Sequence, residues 1–479
     1  MAPTSAEPAS ATRLPLARGP AEAAAVLWRA AGGGDRFLPA LDIRGGGELP
    51  SVFAVSDLAA AATAAVGLAV AEYRATAFGG VPAVTVDRRL SSLWFGTSLK
   101  PQGWALPPAW DPVAGDYAAR DGWVRLHTNA PHHRDAALAV LGVAAGRAAG
   151  RGADRAAVAG AVAGWQADAL EAAVVERGGC AAAMRDLDGW RRHPQGQAVA
   201  AEPLLWCEAL EAGPAVRPAG TPARPLAGVR VLDLTRVLAG PVATRFLAGF
   251  GAEVLRLDPP GWDEPAVLPE VTPGKRRARL DLRDPGGRAR FAELLSGADL
   301  LVHGYRPDAL DRLGLDAAAR REIRPGLIDV SLAAYGWTGP WCLRRGFDSL
   351  VQMSSGIAAE GMRRHGADRP QPLPVQALDH AAGCLLATAA LRGLTRRLLT
   401  GRGSRWRSSL ARVAALLVSL PGPQDGPLIE GPARDDFADR PEATGWGPAL
   451  RLKPPLSVEG AALRWDRPAG PLGIDDARW

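Results

Sequence analysis

Between Gly228 and Asp258 the hydrophobic pattern changes period twice. GVRVLDL is a continuous apolar run of strand length, VATRFLAGF places its apolar residues at helical spacing, and AEVLRLD is a second strand run. Pro241 sits where the first helical residue would be, and Gly251 closes the helix. The pattern predicts a βαβ unit, with the Thr235 to Gly240 loop at the carboxyl end of its first strand, where open α/β sheets take their ligands. The alternation continues: ARLDLR reads as a strand, a helix comes next from Pro285, ADLLVH is a strand, and a further helix starts at Pro307. The fold class predicted is α/β, a doubly wound, mostly parallel sheet with a second, smaller mixed α/β region.

Further along, Leu373 to Leu378 reads as extended and gives way to an Ala/Leu-rich helix with Asp379 as its N-cap. The same layout stands at residues 50–90. With Asp57 set over Asp379, Arg74 matches Arg396 and Gly79 matches Gly401, which predicts an internal repeat. Asp121-Gly122 before WVRLH predicts a β-hairpin, and a helix is expected from Arg155 to Arg177 with Val158, Val162, Trp165, Leu170 and Val174 inward. Dense proline at 211–225 marks a linker. The predicted organisation is a disordered tail and short helix over 1–48, a small domain over 49–210, that linker, a ligand-binding domain over 226–420 and a C-terminal extension over 421–479.

Composition narrows the chemistry. The net charge of +6 over 479 residues comes from arginines dispersed along the chain, without the basic blocks of a nucleic-acid surface, so an anionic small molecule is the expected partner. The four cysteines lie far apart, and none pairs with another Cys or a His at zinc-ligand spacing, so no metal is expected. Reduced thiols, a tail without an apolar core and no apolar run near the ~20 residues of a membrane span point to a cytoplasmic protein with no membrane contact. The loop TRVLAGP lacks the G-x-G-x-x-G spacing, which argues against a dinucleotide. His127, His132, His133 and His193 have no carboxylate or Cys at ligand spacing and read as surface or hydrogen-bonding residues.

Six stretches in order, PLAGVRVLDLTRVLAGP, GAEVLRLDPPG, GKRRARLDLRDPGGR, GYRPDALDRLGL, SLAAYGWTGP and RRGFDSLVQMSSG, resemble the motifs of the family III CoA-transferases. PLPVQALDHAAG then supplies the aspartate that opens a small-residue helix in that family. The resemblance implies a nucleotide-type, Rossmann-like fold that binds coenzyme A or acyl-CoA as substrate, not as a covalently held cofactor, and that a carboxylic acid is the other partner. It implies Asp379 as covalent nucleophile and a homodimer of interlocked chains. It also makes Arg312 and the Lys275, Arg276 and Arg277 cluster the candidates for the CoA phosphates, and the Arg236 to Leu238 loop the candidate for the pantetheine or acyl end. A carboxylate at a helix N-terminus would be kept ionised by the helix dipole, and Gly383 would leave backbone room for a thioester. Asp57 reads as a structural N-cap. The stretches DGWVRL and GGCAAAMRDLDGWRRHPQ resemble the family's second half yet precede its first, as in a permutation or a fusion of two partial copies; residues 421–479 resemble its closing segment through PLGIDD. Two alternatives remain at this stage: an acyl-CoA racemase, which would need a His where Phe347 stands, and a CoA-binding homologue without catalysis.

Overall fold

In the computed structural model, which describes residues 17–144, 154–214, 217–423 and 425–479, seven strands form one sheet. They are β1 (Trp206–Ala212), β2 (Arg230–Leu234), β3 (Glu253–Asp258), β4 (Lys275–Arg279), β5 (Leu300–His303), β6 (Ile328–Ala333) and β7 (Arg402–Ser409). Their order is β4-β3-β2-β5-β6-β7-β1, parallel at every pairing except the β7/β1 edge. β5 and β6 are buried along their whole length, which is why they read as near-continuous apolar runs rather than as alternating ones. The predicted α/β class and mostly parallel sheet are therefore the observed ones.

Three helices build the core beside this sheet, α1 (Val55–Phe78), α2 (Ala239–Gly249) and α3 (Ala377–Thr400), with α3 packed against both of the others. The internal repeat is visible in two of them, since α1 and α3 each run for 24 residues with an aspartate, Asp57 or Asp379, at the third helical position. Neither aspartate is the N-cap that the pattern suggested. Ala54 and Gln376 hold those positions, and neither caps through its side chain. Small residues let the three helices approach closely. A Cβ on Gly383 would lie 2.5 Å from the Ala239 carbonyl oxygen and 2.9 Å from Val242, so this glycine serves the α2/α3 crossing and leaves no room there for a thioester. By length and composition α1 could span a membrane, a helix longer than the sequence reading allowed; instead its apolar surface is buried inside the protein.

Residues 49–210 are shared among three places. Val84–Asp87 comes after α1 and pairs with Leu41–Arg44 and, from the far end of the chain, with Leu456–Val458. Residues 113–183 build a core of their own, in which the hairpin Gly115–Ala118 and Trp123–Leu126, closed at Asp121-Gly122, packs under helices. The helix expected over Arg155 to Arg177 is two, Arg155–Val162 and Ala167–Glu176, broken around Gly164; Val158, Val162, Leu170 and Val174 are buried as expected, whereas Trp165 falls in the break and is half-buried. β1 then enters the main sheet and takes in the first two residues of the expected linker. Residues 1–16, most of the expected disordered tail, and 215–216 of the linker lie outside the described residues.

β4 begins earlier than the ARLDLR pattern indicated, because the basic segment itself pairs with β3, Lys275 opposite Val254. Lys275 therefore points inward and is fully buried. Its Nζ donates to Asp233 Oδ2 (3.0 Å), Thr244 Oγ1 (2.6 Å) and the Pro241 carbonyl (2.9 Å), using all three donors. Burial pushes its pKa down to about 8, against the opposing pull of Asp233. The helix expected from Pro307 is a single 3₁₀ turn, Asp311–Leu313. In the other half, Asp57 is bound by Arg88, whose Nε and Nη2 donate to Oδ1 at 2.9 and 2.7 Å, while Arg88 also reaches Glu48 and the Gly47 carbonyl.

Two substitutions test these buried pairs by equilibrium denaturation. Asp57→Asn is expected to cost about 1–3 kcal/mol, the loss of a buried charge-assisted contact, where a cap exchange would cost almost nothing. Lys275→Met should cost more, about 3–5 kcal/mol, because it leaves the Asp233 carboxylate buried beside no ammonium. Unfolding midpoints equal to wild type would show that neither pair holds the core.

Candidate active site

The loops that leave the carboxyl ends of β2, β5, β6 and β7 border one cleft of about 340 Å³, and the first turn of α3 supplies Asp379 to it. Such a crevice is where parallel sheets are open to ligands, since the strands end there and the helices have not yet begun. The β2 loop is strained: Val237 has φ 62°, the one non-glycine residue in the left-handed region among the described residues. A β-branched residue in that region costs about 1–3 kcal/mol and persists only when its surroundings impose it. Here the Val237 N–H donates to Glu264 Oε2 (2.8 Å), and Glu264 is itself held by Arg256 and by Trp262 Nε1 (3.0 Å).

The strained residue directly follows Arg236. The Arg236 guanidinium lies between the rings of Trp262 (4.7 Å) and Tyr305 (5.0 Å), and its Nη2 donates to the Tyr305 hydroxyl (3.1 Å). These three residues also border a second cleft of about 400 Å³, reached past Arg283 and the Pro259 to Gly261 turn. The two clefts adjoin at Arg236, Trp262 and Tyr305, which border both, while Asp379 borders the first alone.

Asp379 is 8% exposed, and its carboxyl makes no hydrogen bond with any described residue. Its position is fixed through its backbone. Asp348 Oδ2 accepts the N–H groups of Leu378 (2.9 Å) and Asp379 (3.0 Å), while Gln352 donates to the other Asp348 oxygen. Burial, with the Asp348 charge added to it, holds the Asp379 carboxyl well above the usual carboxylate range. Burial likewise raises Asp348 to about 6. The helix dipole thus does not keep Asp379 ionised as the sequence suggested; desolvation outweighs it.

Of the residues singled out from sequence, the cleft brings together Asp379, Arg236 and Leu238, the last as the N-cap position of α2. It does not bring in the others. Lys275 is inside the sheet, Arg276 lies against Glu253 (3.5 Å) on the sheet's edge strand, and Arg312 is exposed and paired with Asp308. Sequence reasoning passed over Arg306, Arg344, Arg345, His132 and His133, all of which border the cleft. The available signals were the basic pair just before Gly346-Phe347-Asp348 and the paired histidines opening the helix Pro131–Leu141. Phe347 is stacked on His127 (3.7 Å between centroids) with His133 edge-on (5.8 Å), so a ring filled by packing stands where a racemase would carry its base. Among the described residues no group of three or more His, Cys, Asp or Glu is placed to hold a metal ion.

Comparison with known proteins places this geometry. Residues 226–441 match the model of CoA-transferase family III. A probable fatty acyl-CoA transferase of Mycobacterium tuberculosis is 33% identical over 198 residues, 38% of this chain and 50% of its own. The mouse succinyl-CoA:glutarate CoA-transferase is 36% identical over 195 residues, 38% of this chain and 44% of its own. A solved structure of a CAIB/BAIF family protein from Brucella suis is 25% identical, covers 47% of this chain and 65% of that one, and has a TM-score of 0.37. The chain spans about half the length of the curated relatives it matches. From just before the first strand of the βαβ unit to beyond the Asp379 helix, residues 226–441 of this chain are similar to CoA-transferase family III.

Proposed function

We propose that the protein moves coenzyme A between an acyl-CoA thioester and a carboxylic acid, with Asp379 as the covalent nucleophile. The observation that carries this reading is a carboxyl held in place by its backbone alone, buried at the end of a cleft and free of hydrogen bonds from any described residue. Such a group has no structural duty to abandon when it forms a covalent bond. When ionised it is poorly solvated and basic, which makes it a stronger nucleophile than a surface carboxylate.

The sequence of bonds is balanced without water. An Asp379 oxygen attacks the acyl carbonyl, the C–S bond breaks, and CoA leaves as thiolate, giving a mixed anhydride. The thiolate attacks the Asp379 carbonyl, releasing the first acid and leaving an aspartyl-CoA thioester. The acceptor carboxylate attacks that thioester, giving a second anhydride and thiolate again; the thiolate then takes the acceptor acyl group and returns Asp379 to its carboxylate. Each step passes through an oxyanion. The first-turn N–H groups of α2 at Ala239 and Gly240 border the cleft and have no partner within the helix, so they are the donors we assign to it. Arg236, braced between Trp262 and Tyr305, is assigned to the CoA chain where it passes into the second cleft, and Leu238 to the apolar wall beside the reacting atoms. A cytoplasmic location and a homodimer belong to the same reading.

Asp379→Asn should abolish transfer, because an amide is no nucleophile, and should abolish the acyl or CoA adduct on this residue that mass spectrometry of the wild-type protein would detect after exposure to acyl-CoA. The absence of any adduct on the wild type, with acyl-CoA bound, would sink the reading in favour of binding without catalysis. In the wild type kcat/KM should rise with pH from the acid side as the Asp348/Asp379 pair loses its proton; the apparent pKa belongs to the pair. The same shift fixes a stability effect. A carboxyl whose folded pKa is raised favours the fold below its unfolded pKa near 4 and loses that contribution as pH rises through the folded value. Asp379→Asn should therefore melt higher than wild type at pH 8, with the difference closing towards pH 4.

A further inference from the structure

The bond changes set out above place negative charge on two different carbons. In the first and last steps the oxyanion forms on the acyl carbon of the substrate, and in the two middle steps it forms on the side-chain carbon of Asp379. The two oxygens are distinct, and a donor placed for one is misplaced for the other. The α2 N–H groups lie on the Asp379 side, since Gly383, one turn along α3 from Asp379, is packed against the Ala239 carbonyl. The acyl carbonyl, which reaches into the cleft, needs a donor from another wall.

Two residues of that cleft come from the chain ahead of β2, His132 and His133, both in the helix Pro131–Leu141. They divide the space between them. His132 borders both clefts and so stands at their junction, whereas His133, like Asp379, borders the first alone. The His133 ring is edge-on to Phe347, 5.8 Å between centroids, and Phe347 leads directly into Asp348, whose Oδ2 accepts the Asp379 N–H at 3.0 Å. A cleft of about 340 Å³ is at the small end of ligand sites, so a thioester inside it lies against these walls.

His133 is 4% exposed, and neither of its ring nitrogens has a hydrogen-bond partner among the described residues. Buried polar groups are ordinarily satisfied within the fold, and one that is not, at the wall of a cleft, holds its donor for a ligand. The neighbouring His127 differs: its face is stacked on Phe347 at 3.7 Å and it does not border the cleft. Burial, with His132 and then Arg345 adding to it, pushes the His133 pKa down to about 3. The ring is therefore neutral near pH 7 and carries one N–H donor and one acceptor. Such an imidazole polarises a carbonyl and keeps its proton while doing so.

Resting on the transferase reading above, we propose that His133 is a second oxyanion donor: its ring N–H donates to the carbonyl oxygen of the bound acyl-CoA thioester and to the oxyanion formed there when Asp379 attacks. The Asp379 oxygen bonds to the acyl carbon, the carbonyl electron pair moves to the oxygen facing His133, and its return breaks the C–S bond. No proton leaves the imidazole.

The test has two arms. In the Asp379→Asn chain, which cannot react, acetyl-CoA carrying carbon-13 at its carbonyl is bound and its C=O stretch is read by infrared difference spectroscopy. The stretch should lie below that of free acetyl-CoA. Adding His133→Phe or His133→Leu should return it to the free value, and His133→Gln, which keeps a donor, should retain part of the shift. With Asp379 in place, the rate of adduct formation from acetyl-CoA is followed by quenched mass spectrometry. Either donorless variant should slow it by about 10²–10³-fold, with CoA affinity, measured by calorimetry, unchanged. A stretch that stays lowered in both donorless variants would overturn the proposal, and its disappearance in Arg345→Gln instead would assign the donor to that guanidinium. A loss of CoA affinity that accounts for the slower adduct would overturn it too, making His133 a binding contact. The infrared arm needs no turnover, so the two readings separate: a stretch that depends on His133 without any adduct on the wild type would refute the transferase reading and keep the donor, whereas an adduct formed at the wild-type rate without the imidazole would do the reverse.

Discussion

A helix that begins at the edge of a cleft has N–H groups to satisfy, and α3 has no capping side chain of its own with which to do it. Asp348 takes that role from another element, accepting two N–H groups of the first turn with one oxygen and the Gln352 amide with the other. Gln352 in turn accepts the Leu373 N–H at 2.7 Å, which ties down the chain that enters the helix. Most of the site depends on this contact. Because Asp348 does the capping, the Asp379 side chain is released from it; because both carboxyls are buried side by side, neither ionises as easily as it would in water.

The second copy of the same layout shows what a different neighbourhood does to an identical position. Asp57 is the third residue of a 24-residue helix, as Asp379 is, yet Arg88 binds it through two nitrogens. A carboxylate gripped by a buried guanidinium through two nitrogens is already occupied and is hidden as a nucleophile. The pair α1 and α3 lie against each other in one core, so the contrast arises from the segments that surround each helix N-terminus and not from the helices themselves. After α1 the chain returns in Val84–Asp87 and places Arg88 over Asp57; the Asp379 carboxyl faces the open end of the sheet.

The backbone plan was readable because it rests on local pattern. The β2-α2-β3 unit, the hairpin at Asp121-Gly122 and the apolar positions of the Arg155 to Glu176 stretch follow from periodicity and turn residues alone. Asp379 was singled out for a different reason, through motif order and not through physics, and the physics first attached to it, a cap kept ionised by a dipole, is not what the structure shows. Lys275 was misplaced because a basic run looks like a surface loop until its strand partner is known; paired with β3, its alternate residues turn inward and the lysine meets Asp233. Arg345 and His133 carried only weak local signals, a basic pair and a histidine pair some 200 residues apart, and only the folded chain brings them to one cleft.

The strained loop at Val237 connects these observations. A left-handed β-branched residue is held against its preference by Glu264, and Glu264 is shared with Arg256, which is fully buried and pairs also with Asp258 (2.9 Å) at the end of β3. The strain is thus anchored in the sheet, whose strands do not move independently. If Val237 relaxed to an ordinary extended conformation, the loop between Arg236 and α2 would change course. Arg236 would leave the gap between Trp262 and Tyr305, and the first turn of α2 would shift against Gly383, whose close contact with Ala239 fixes where α3 begins. The guanidinium at the junction of the clefts, the α2 N–H groups and the Asp379 carboxyl are therefore positioned by one set of contacts, so that a change at any of them is felt at the other two.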